Sequence, residues 1–396
     1  MATDGRAPAP KSTTTLLSNI VFKGHIANGR SPLARRSNCG QHQAGNLSPV
    51  LYKQLADLGA HVIKIERPGS GDIARDYDTR VNGLSSHFVW TNRSKESLAL
   101  DLKKNKDLTT LKVLLGRADV FVQNLAPGAA GRLGLSHDDL HTENARLIVC
   151  NISGYGMDGL YKDKKAYDLL IQSEAGRLSV TGTPDSPAKV GVSIADITAG
   201  MFAYNNILAT PIQRNKTGKC QRIDISMLES MAEWMGFPMY YAYKNAPGPR
   251  PAGAAHAAIY PYGPFETGDG LTIMFGIQNE REWAAFCAKI LAEKDLATDP
   301  RFCNNSLRVK NRDELQRLIF TSLASLTAPE AVSRLDEAGI ANANVNDMRG
   351  LWGHPQLRAR DSWAEVDTAV GRVPSLIPPG IPSYRIRGGM CEWTAC

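Results

Sequence analysis

Asp196 is the carboxylate with the most unusual neighbours in the chain. The run Val190-Gly-Val-Ser-Ile-Ala195 before it is small and apolar, and Ile197-Thr-Ala-Gly-Met-Phe202 after it stays apolar. The residue opens a helical pattern, and by propensity an acid at a helix start is an N-cap. A carboxylate held among small apolar groups near helix N–H donors is also partly desolvated and orientable, which suits a nucleophile. Asp168, in Ala166-Tyr167-Asp168, repeats the situation one helix earlier.

Cations form the second group. Arg67, the Asn92-Arg93-Ser94-Lys95 turn, Lys103, Lys104 and Arg132 fall near the ends of predicted strands and helices. Cations converging on the carboxyl edge of a parallel sheet suit an anionic ligand such as a phosphorylated nucleotide, although ordinary solvated Lys and Arg would look the same. The segment Gly69-Ser-Gly71-Asp-Ile-Ala74 matches G-x-G-x-x-A after a strand. A dinucleotide fingerprint opens directly into a helix and has an acid about twenty residues on. Here Glu66 and Asp72 crowd the turn with acids and the stretch twenty residues on is Asn92-Arg93-Ser94-Lys95, which argues against dinucleotide binding.

The seven cysteines, Cys39, Cys150, Cys220, Cys287, Cys303, Cys391 and Cys396, are odd in number and scattered, with no C-x-x-C or zinc spacing. They read as reduced thiols of an intracellular protein, with no metal site expected.

Alternating elements must position these groups. The spacing predicts a helix over 50–58, a strand over 61–66, a helix over 107–118, a strand over 119–124, a helix over 136–144 and a strand over 147–153. Strands alternating with helices imply right-handed crossovers and a doubly wound parallel sheet, whose ligands bind at the carboxyl ends of the strands. Helices over 166–175 and 196–214, a strand over 222–225 and a helix over 226–235 complete this expected large α/β domain, 50–244. The Pro- and Gly-rich stretch 245–264 reads as a linker and mobile loop, and 265–375 as a smaller α/β domain with a strand over 271–276 and helices over 280–291, 312–323 and 329–338.

The 396 residues are 43% hydrophobic and 21% charged, a composition that excludes disorder and fibrous classes. No window has the roughly 18 apolar residues of a membrane helix, so no membrane partner is expected. Of the net charge of +7, five units lie in residues 1–50, where six Lys or Arg face Asp4 alone. The remainder is nearly balanced, which argues against a nucleic-acid face and leaves small molecules as partners. The acid-poor segment 1–49 is an atypical extension that reads as a transit peptide, as mis-spliced sequence or as a disordered arm, and location is left between mitochondrion and cytoplasm.

Several motifs together resemble the family III CoA-transferases, the CaiB/BaiF group containing formyl-CoA and carnitine CoA-transferases. They are Leu55-Ala-Asp-Leu-Gly-Ala-His-Val-Ile-Lys-Ile-Glu-Arg-Pro-Gly-Ser-Gly-Asp72, Ser97-Leu-Ala-Leu-Asp-Leu-Lys103, Ala118-Asp-Val-Phe-Val-Gln-Asn124, Arg132-Leu-Gly-Leu135, Ser153-Gly-Tyr-Gly156, Val190-Gly-Val-Ser-Ile-Ala-Asp196 and Lys216-Thr-Gly-Lys-Cys-Gln221. Tyr262-Gly-Pro-Phe265, Asp299-Pro-Arg-Phe302, Val345-Asn-Asp347 and His354-Pro-Gln-Leu357 continue them in family order.

The resemblance implies two domains, a homodimer of interlocked rings, and CoA transfer from an acyl-CoA to a carboxylic acid, with the thioester as substrate and no resident cofactor. It implies that Asp196 is the nucleophile, forming an acyl anhydride and then an aspartyl-CoA thioester. It places Arg67, Leu100, Lys103, Asn124, Leu125 and Arg132 at CoA contacts, and Tyr167, Asp168, Gly253 and His256 on the substrate side. The last two lie in the segment matching the family's mobile glycine loop. The stretch Trp234-Met-Gly-Phe-Pro-Met-Tyr-Tyr241 resembles members acting on small dicarboxylic acids. Racemases of the same superfamily carry a His where this chain has Tyr167; a phenol is a poor general base at neutral pH, so transfer is implied over epimerisation.

Two departures from the family pattern stand out. No first strand with its CoA-binding loop is legible before residue 50, which leaves a catalytically inactive CoA-binding homologue as the alternative to an enzyme. The tail 376–396 lacks the usual closing helix.

Overall fold

The computed structural model describes residues 19–23, 49–218 and 220–380; the rest of the amino-terminal extension, Cys39, and the tail with Cys391 and Cys396 lie outside the described residues. Contacts divide the chain into two units, and the division is not consecutive. The first holds residues up to Ala175, Gly191–Trp234 and the chain from Asp361, and the second holds Gly176–Val190 and Met235–Arg360.

The first unit follows the order β1 (Asn19–Lys23), α1 (Pro49–Asp57), β2 (His61–Glu66), α2 (Ser86–Asn92), β3 (Lys95–Ala99), α3 (Asn105–Leu115), β4 (Val120–Gln123), α4 (Ala129–Arg132), α5 (His137–Glu143), β5 (Ile148–Ser153) and α6 (Asp168–Glu174). The two-residue strands β6 (Gly182–Thr183) and β7 (Ser186–Pro187) belong to the second unit. The chain then returns through α7 (Ile194–Thr217), β8 (Ile223–Ser226) and α8 (Met227–Trp234). The six-stranded sheet has the order β3-β2-β1-β4-β5-β8.

Strand alternation covers both faces of this sheet. Val62, Val120, Val122, Ile148 and Cys150 pack with Leu51, Leu55, Ala199 and Ala203 of α1 and α7. Ile63, Ile65, Phe121 and Val149 point the other way, into a cluster with Leu111, Leu115 and Leu140 of α3 and α5. A side-chain period of two in buried strands requires such a double cover. In α7 the buried Ala195, Ala199 and Ala203 share one stripe, and their small size lets the helix lie close to the sheet.

The sheet is mixed rather than wholly parallel. Strands β2, β3, β4, β5 and β8 run the same way, and β1 is antiparallel to both neighbours. The sequence shows no convincing first strand, yet Asn19–Lys23 fills the central slot, with Asn19 opposite Gln123 and Lys23 opposite His61. Five residues suffice there because strands on both sides supply ladder partners in either orientation. Helix α2 and strand β3 were likewise illegible, being short, with polar residues where burial was not anticipated.

The second unit continues with α9 (Gly236–Tyr241), β9 (Tyr262–Glu266), β10 (Thr272–Gly276), α10 (Glu280–Lys289), α11 (Asn305–Lys310), α12 (Arg312–Leu323), α13 (Ala328–Glu337), β11 (Asn342–Asn344), α14 (Met348–Trp352) and α15 (Pro355–Ala359). Its antiparallel sheet, in the order β11-β10-β9, packs Ile273 and Phe275 against Trp283, Phe286, Ile319 and Leu335. The segment read as linker thus ends inside strand β9. The hairpin β12 (Trp363–Thr368) and β13 (Gly371–Leu376) groups with the first unit, whereas the sequence suggested a continuous small domain to 375.

Buried Arg93 ties this hairpin down. Its guanidinium forks onto the Asp57 carboxylate at 3.0 and 2.6 Å and also donates to Ser375 Oγ and the Leu376 carbonyl. Among the described residues no helix is long and apolar enough to cross a membrane.

Candidate active site

Helix α7 begins where two acids meet. Its N-cap residue, Ser193, makes no side-chain cap bond. Instead Asp168, the first residue of α6, reaches across: one carboxylate oxygen accepts the Ala195 N–H at 2.8 Å and the Asp196 N–H at 3.3 Å. These are two of the four donors a helix leaves unpaired at its start. The other Asp168 oxygen accepts from Nε2 of buried Gln172, one turn along α6, at 2.6 Å. Asp168 is therefore the cap, and Asp196 is not; Asp196 is the third residue of the helix.

Asp196 is 5% exposed. Burial pushes its carboxyl up to about 8, and the negative charge of Asp168 adds to the shift. A carboxyl so raised is a strong base once ionised, and basicity is what a carboxylate nucleophile needs.

Tyr77, which the sequence did not single out, belongs to the same neighbourhood. Burial raises its phenol, followed by the charges of Asp72, Asp196 and Tyr167. Its ring meets His87 edge-on at 5.4 Å, and His87 meets Trp90 at 6.5 Å. Tyr167 itself is exposed. A lone aromatic in a turn carries no periodic signal, so only the fold could place Tyr77 near Asp196.

The predicted CoA positions gather on one edge. Arg67 follows β2, Leu100 and Lys103 follow β3, and Asn124, Leu125 and Arg132 follow β4; these three strands run in the same direction. Leu100 and Leu125 are buried, while Lys103 and Arg132 are exposed. The Leu100 N–H donates to the Glu66 carbonyl at 3.0 Å, which holds the turn after β3 against the end of β2. At Gly128, φ is +72° and an added Cβ would stand 2.9 Å from the Arg132 guanidinium, so glycine lets Arg132 fold back over the turn.

Two cations proposed from the sequence leave this group. Arg93 is committed to Asp57, and Lys95 is buried, its ammonium 5.3 Å from the Tyr52 ring centre and 3.4 Å from Asn92 Oδ1. Both serve the core rather than a ligand. The glycine turn after β2 likewise closes on charged side chains. Buried Glu66 accepts from Arg75 at 2.8 and 2.9 Å, from Ser97 at 3.0 Å and from the Asp72 N–H at 2.9 Å, and Lys64 pairs with Asp72. Gly71, at φ +61°, would place a Cβ 2.9 Å from Glu66, so the glycines serve this network.

Gly253 and His256 belong to the second unit. The Gly253 N–H donates to the Gly182 carbonyl at 2.7 Å and the His256 N–H to the Tyr262 carbonyl at 2.8 Å. The imidazole stacks on Tyr262 at 5.4 Å and its Nδ1 accepts from the Ala258 N–H at 3.1 Å. The segment read as a mobile loop is held at these points. Among the described residues no cluster of three His, Cys, Asp or Glu could hold a metal ion.

Comparison with known proteins identifies the family. The profile of CoA-transferase family III matches residues 41–381. The chain is 33% identical over 314 residues to a succinyl-CoA:glutarate CoA-transferase of Mus musculus, covering 78% of this chain and 71% of the relative. An acetyl-CoA:oxalate CoA-transferase of Acetobacter aceti is 33% identical over 310 residues, covering 78% and 79%. The crystal structure of a CAIB/BAIF family protein from Brucella suis superposes with a TM-score of 0.76 at 30% identity, covering 88% of this chain and 93% of that one. The chain belongs to CoA-transferase family III, and it is a CoA-transferase.

Proposed function

We propose that this enzyme moves CoA between small dicarboxylic acids through covalent intermediates on Asp196. The observation that carries the reading is a buried, basic carboxylate at the start of α7, capped by Asp168. The Asp196 carboxylate attacks the thioester carbonyl, the C–S bond breaks, and CoA thiolate leaves behind an acyl-aspartyl anhydride. The thiolate then attacks the Asp196 carbonyl, releasing the donor acid and leaving an aspartyl-CoA thioester. The acceptor carboxylate attacks that thioester to form a second anhydride, and the thiolate takes the acceptor's acyl group and regenerates Asp196. The thioester energy is kept because each step exchanges one activated acyl group for another.

Arg67, Lys103 and Arg132 supply cations for the CoA phosphates on the carboxyl edge of the sheet, with Leu100 and Leu125 against the adenine. Tyr167, Asp168, Gly253 and His256 serve the acid substrates. The relatives named for succinate, glutarate and oxalate support dicarboxylic acids as the substrate class.

The active form is a homodimer. In the second unit Phe237, Met239, Tyr240, Tyr241 and Tyr243 are all exposed within seven residues, an apolar surface that a second copy of the chain covers.

The test is intact-protein mass spectrometry after mixing with succinyl-CoA, followed by hydroxylamine. A CoA adduct, or a hydroxamate mapped to the peptide holding Asp196 and absent from Asp196→Ala, supports the reading. Full exchange activity in Asp196→Ala overturns it.

A further inference from the structure

Strands β4, β5 and β8 carry a row of polar side chains that the nucleophile does not use, and the row starts at Gln123, the last residue of β4. Gln123, Asn151 and Asp224 are direct neighbours in the strand register. Gln123 and Asn151 are buried, on the same strand face as Phe121 and Val149. Gln123 Nε2 donates to Asn151 Oδ1 at 2.6 Å, and Asn151 Nδ2 donates to Asp224 Oδ1 at 2.7 Å. At the other end Gln123 Oε1 accepts the Leu125 backbone N–H at 2.6 Å. The second Asp224 oxygen accepts from Arg222 Nε at 2.6 Å.

The chemistry of the two ends fixes the direction of every bond. A backbone N–H only donates, so it turns the Gln123 oxygen towards Leu125 and the Gln123 amino group towards Asn151. A carboxylate only accepts, so Asn151 turns its amino group towards Asp224. Aliphatic residues would fill this part of the sheet without any cost of burying amides, so the row is not there for packing. Beyond the strands, it reaches the backbone at the turn Asn124–Leu125.

We propose that Gln123, Asn151 and Asp224 are positioning residues for CoA, a one-way hydrogen-bond relay across three strands that locks the Asn124–Leu125 turn in the shape that binds the nucleotide. The inference rests on reading Asn124 and Leu125 as CoA contacts. The lock works because linked, polarised bonds, buried at Gln123 and Asn151 and anchored on the exposed Asp224, resist rotation of either amide.

Gln123→Glu tests the direction. The substituted carboxylate still accepts from Leu125, but Asn151 must then turn its amino group to that carboxylate and leave its oxygen against Asp224. Adding Asp224→Asn restores a donor at that point and reverses the relay consistently. CoA itself is the probe, titrated calorimetrically into the full chain, with the thermal midpoint of each variant measured alongside.

The expected result is that Gln123→Glu and Asn151→Leu each weaken CoA binding about fivefold, and that Gln123→Glu combined with Asp224→Asn returns it to within about twofold of the parent. Leu125→Ala separates the two layers of the inference. If Leu125→Ala weakens CoA binding while Gln123→Glu and Asn151→Leu change only the thermal midpoint, the relay is structural and the proposal is overturned. If Leu125→Ala leaves CoA binding unchanged, the turn is not a CoA contact, and the relay proposal falls with that reading.

Discussion

The carboxylate of Asp168 caps the helix that carries Asp196, accepting the Ala195 and Asp196 N–H groups at 2.8 and 3.3 Å. One acid thus fixes the backbone of the other and sets its charge environment. A cap borrowed from a neighbouring helix leaves the Asp196 side chain free for chemistry, where a self-capping Asp would have spent its oxygens on backbone N–H groups.

Asp196 is neutral below its raised value of about 8 and ionised above it. Since only the carboxylate attacks a thioester, kcat/KM for the acyl-CoA rises with pH through a midpoint near 8 in the free enzyme. Asp168→Asn keeps an oxygen for the two N–H groups and removes the negative charge, so the midpoint falls, by up to about one unit. Burial, the larger cause, still holds it well above an ordinary carboxylate. A pH profile of unchanged midpoint in Asp168→Asn would show that this charge does not reach the nucleophile.

Asp196→Asn abolishes turnover and stabilises the fold in alkali. The folded group holds its proton up to about 8 while the unfolded chain releases it near the ordinary 3.8, so this residue makes stability fall as pH rises between those values. Asparagine removes that dependence. The variant's thermal midpoint at about pH 8.5 is expected to exceed the parent's by about 2–4 °C, with a smaller difference near pH 5. Equal differences at the two pH values would contradict a buried, proton-holding Asp196.

Glu66 behaves in the opposite sense. Burial alone would raise its carboxyl, but Lys64 and the hydrogen bonds from Arg75 and Asp72 prevail and bring it down to about 2. Its stabilisation is present above the ordinary 4.5 and is lost as pH falls through about 2. Glu66→Gln strips a buried partner from Arg75 and Lys64 and costs about 3–5 kcal/mol at neutral pH by urea unfolding. The gap between parent and variant narrows below about pH 4; a gap independent of pH would mean that the Glu66 charge contributes nothing.

Arg93→Lys keeps the charge and loses the fork. The guanidinium makes four bonds from three nitrogens, to Asp57, Ser375 and Leu376, and a single lysine nitrogen cannot reach both sides with that geometry. The expected cost is about 2–4 kcal/mol, with limited proteolysis cutting first in the β12–β13 hairpin. Cleavage elsewhere at the parent's rate, with the hairpin still protected, would show that Arg93 is not its tether.

Much of the first unit was legible because buried strands and amphipathic helices of ordinary length leave periodic traces. Strands β2, β4 and β5, and the helix carrying Asp196, follow directly from those traces. The chemistry of the Arg93 turn was not legible, because a charged residue looks the same in sequence whether it meets a ligand or a buried Asp57 thirty-six residues away. The hairpin β12–β13 escaped for a related reason: its anchorage lies in a contact nearly three hundred residues apart in the chain.

By itself the sequence determined the family, the alternating α/β plan and Asp196 as the acid among apolar neighbours, since all three are written in local pattern and motif. Tertiary structure alone decided that Asp168 caps α7, that Tyr77 lies near Asp196, and that the short segment Asn19–Lys23 enters the sheet against the direction of its neighbours. The physical reason is common to all of these. A hydrogen-bond partner, a neighbouring charge and a strand's direction are properties of a pair, and one-dimensional pattern reports only what each residue would prefer alone.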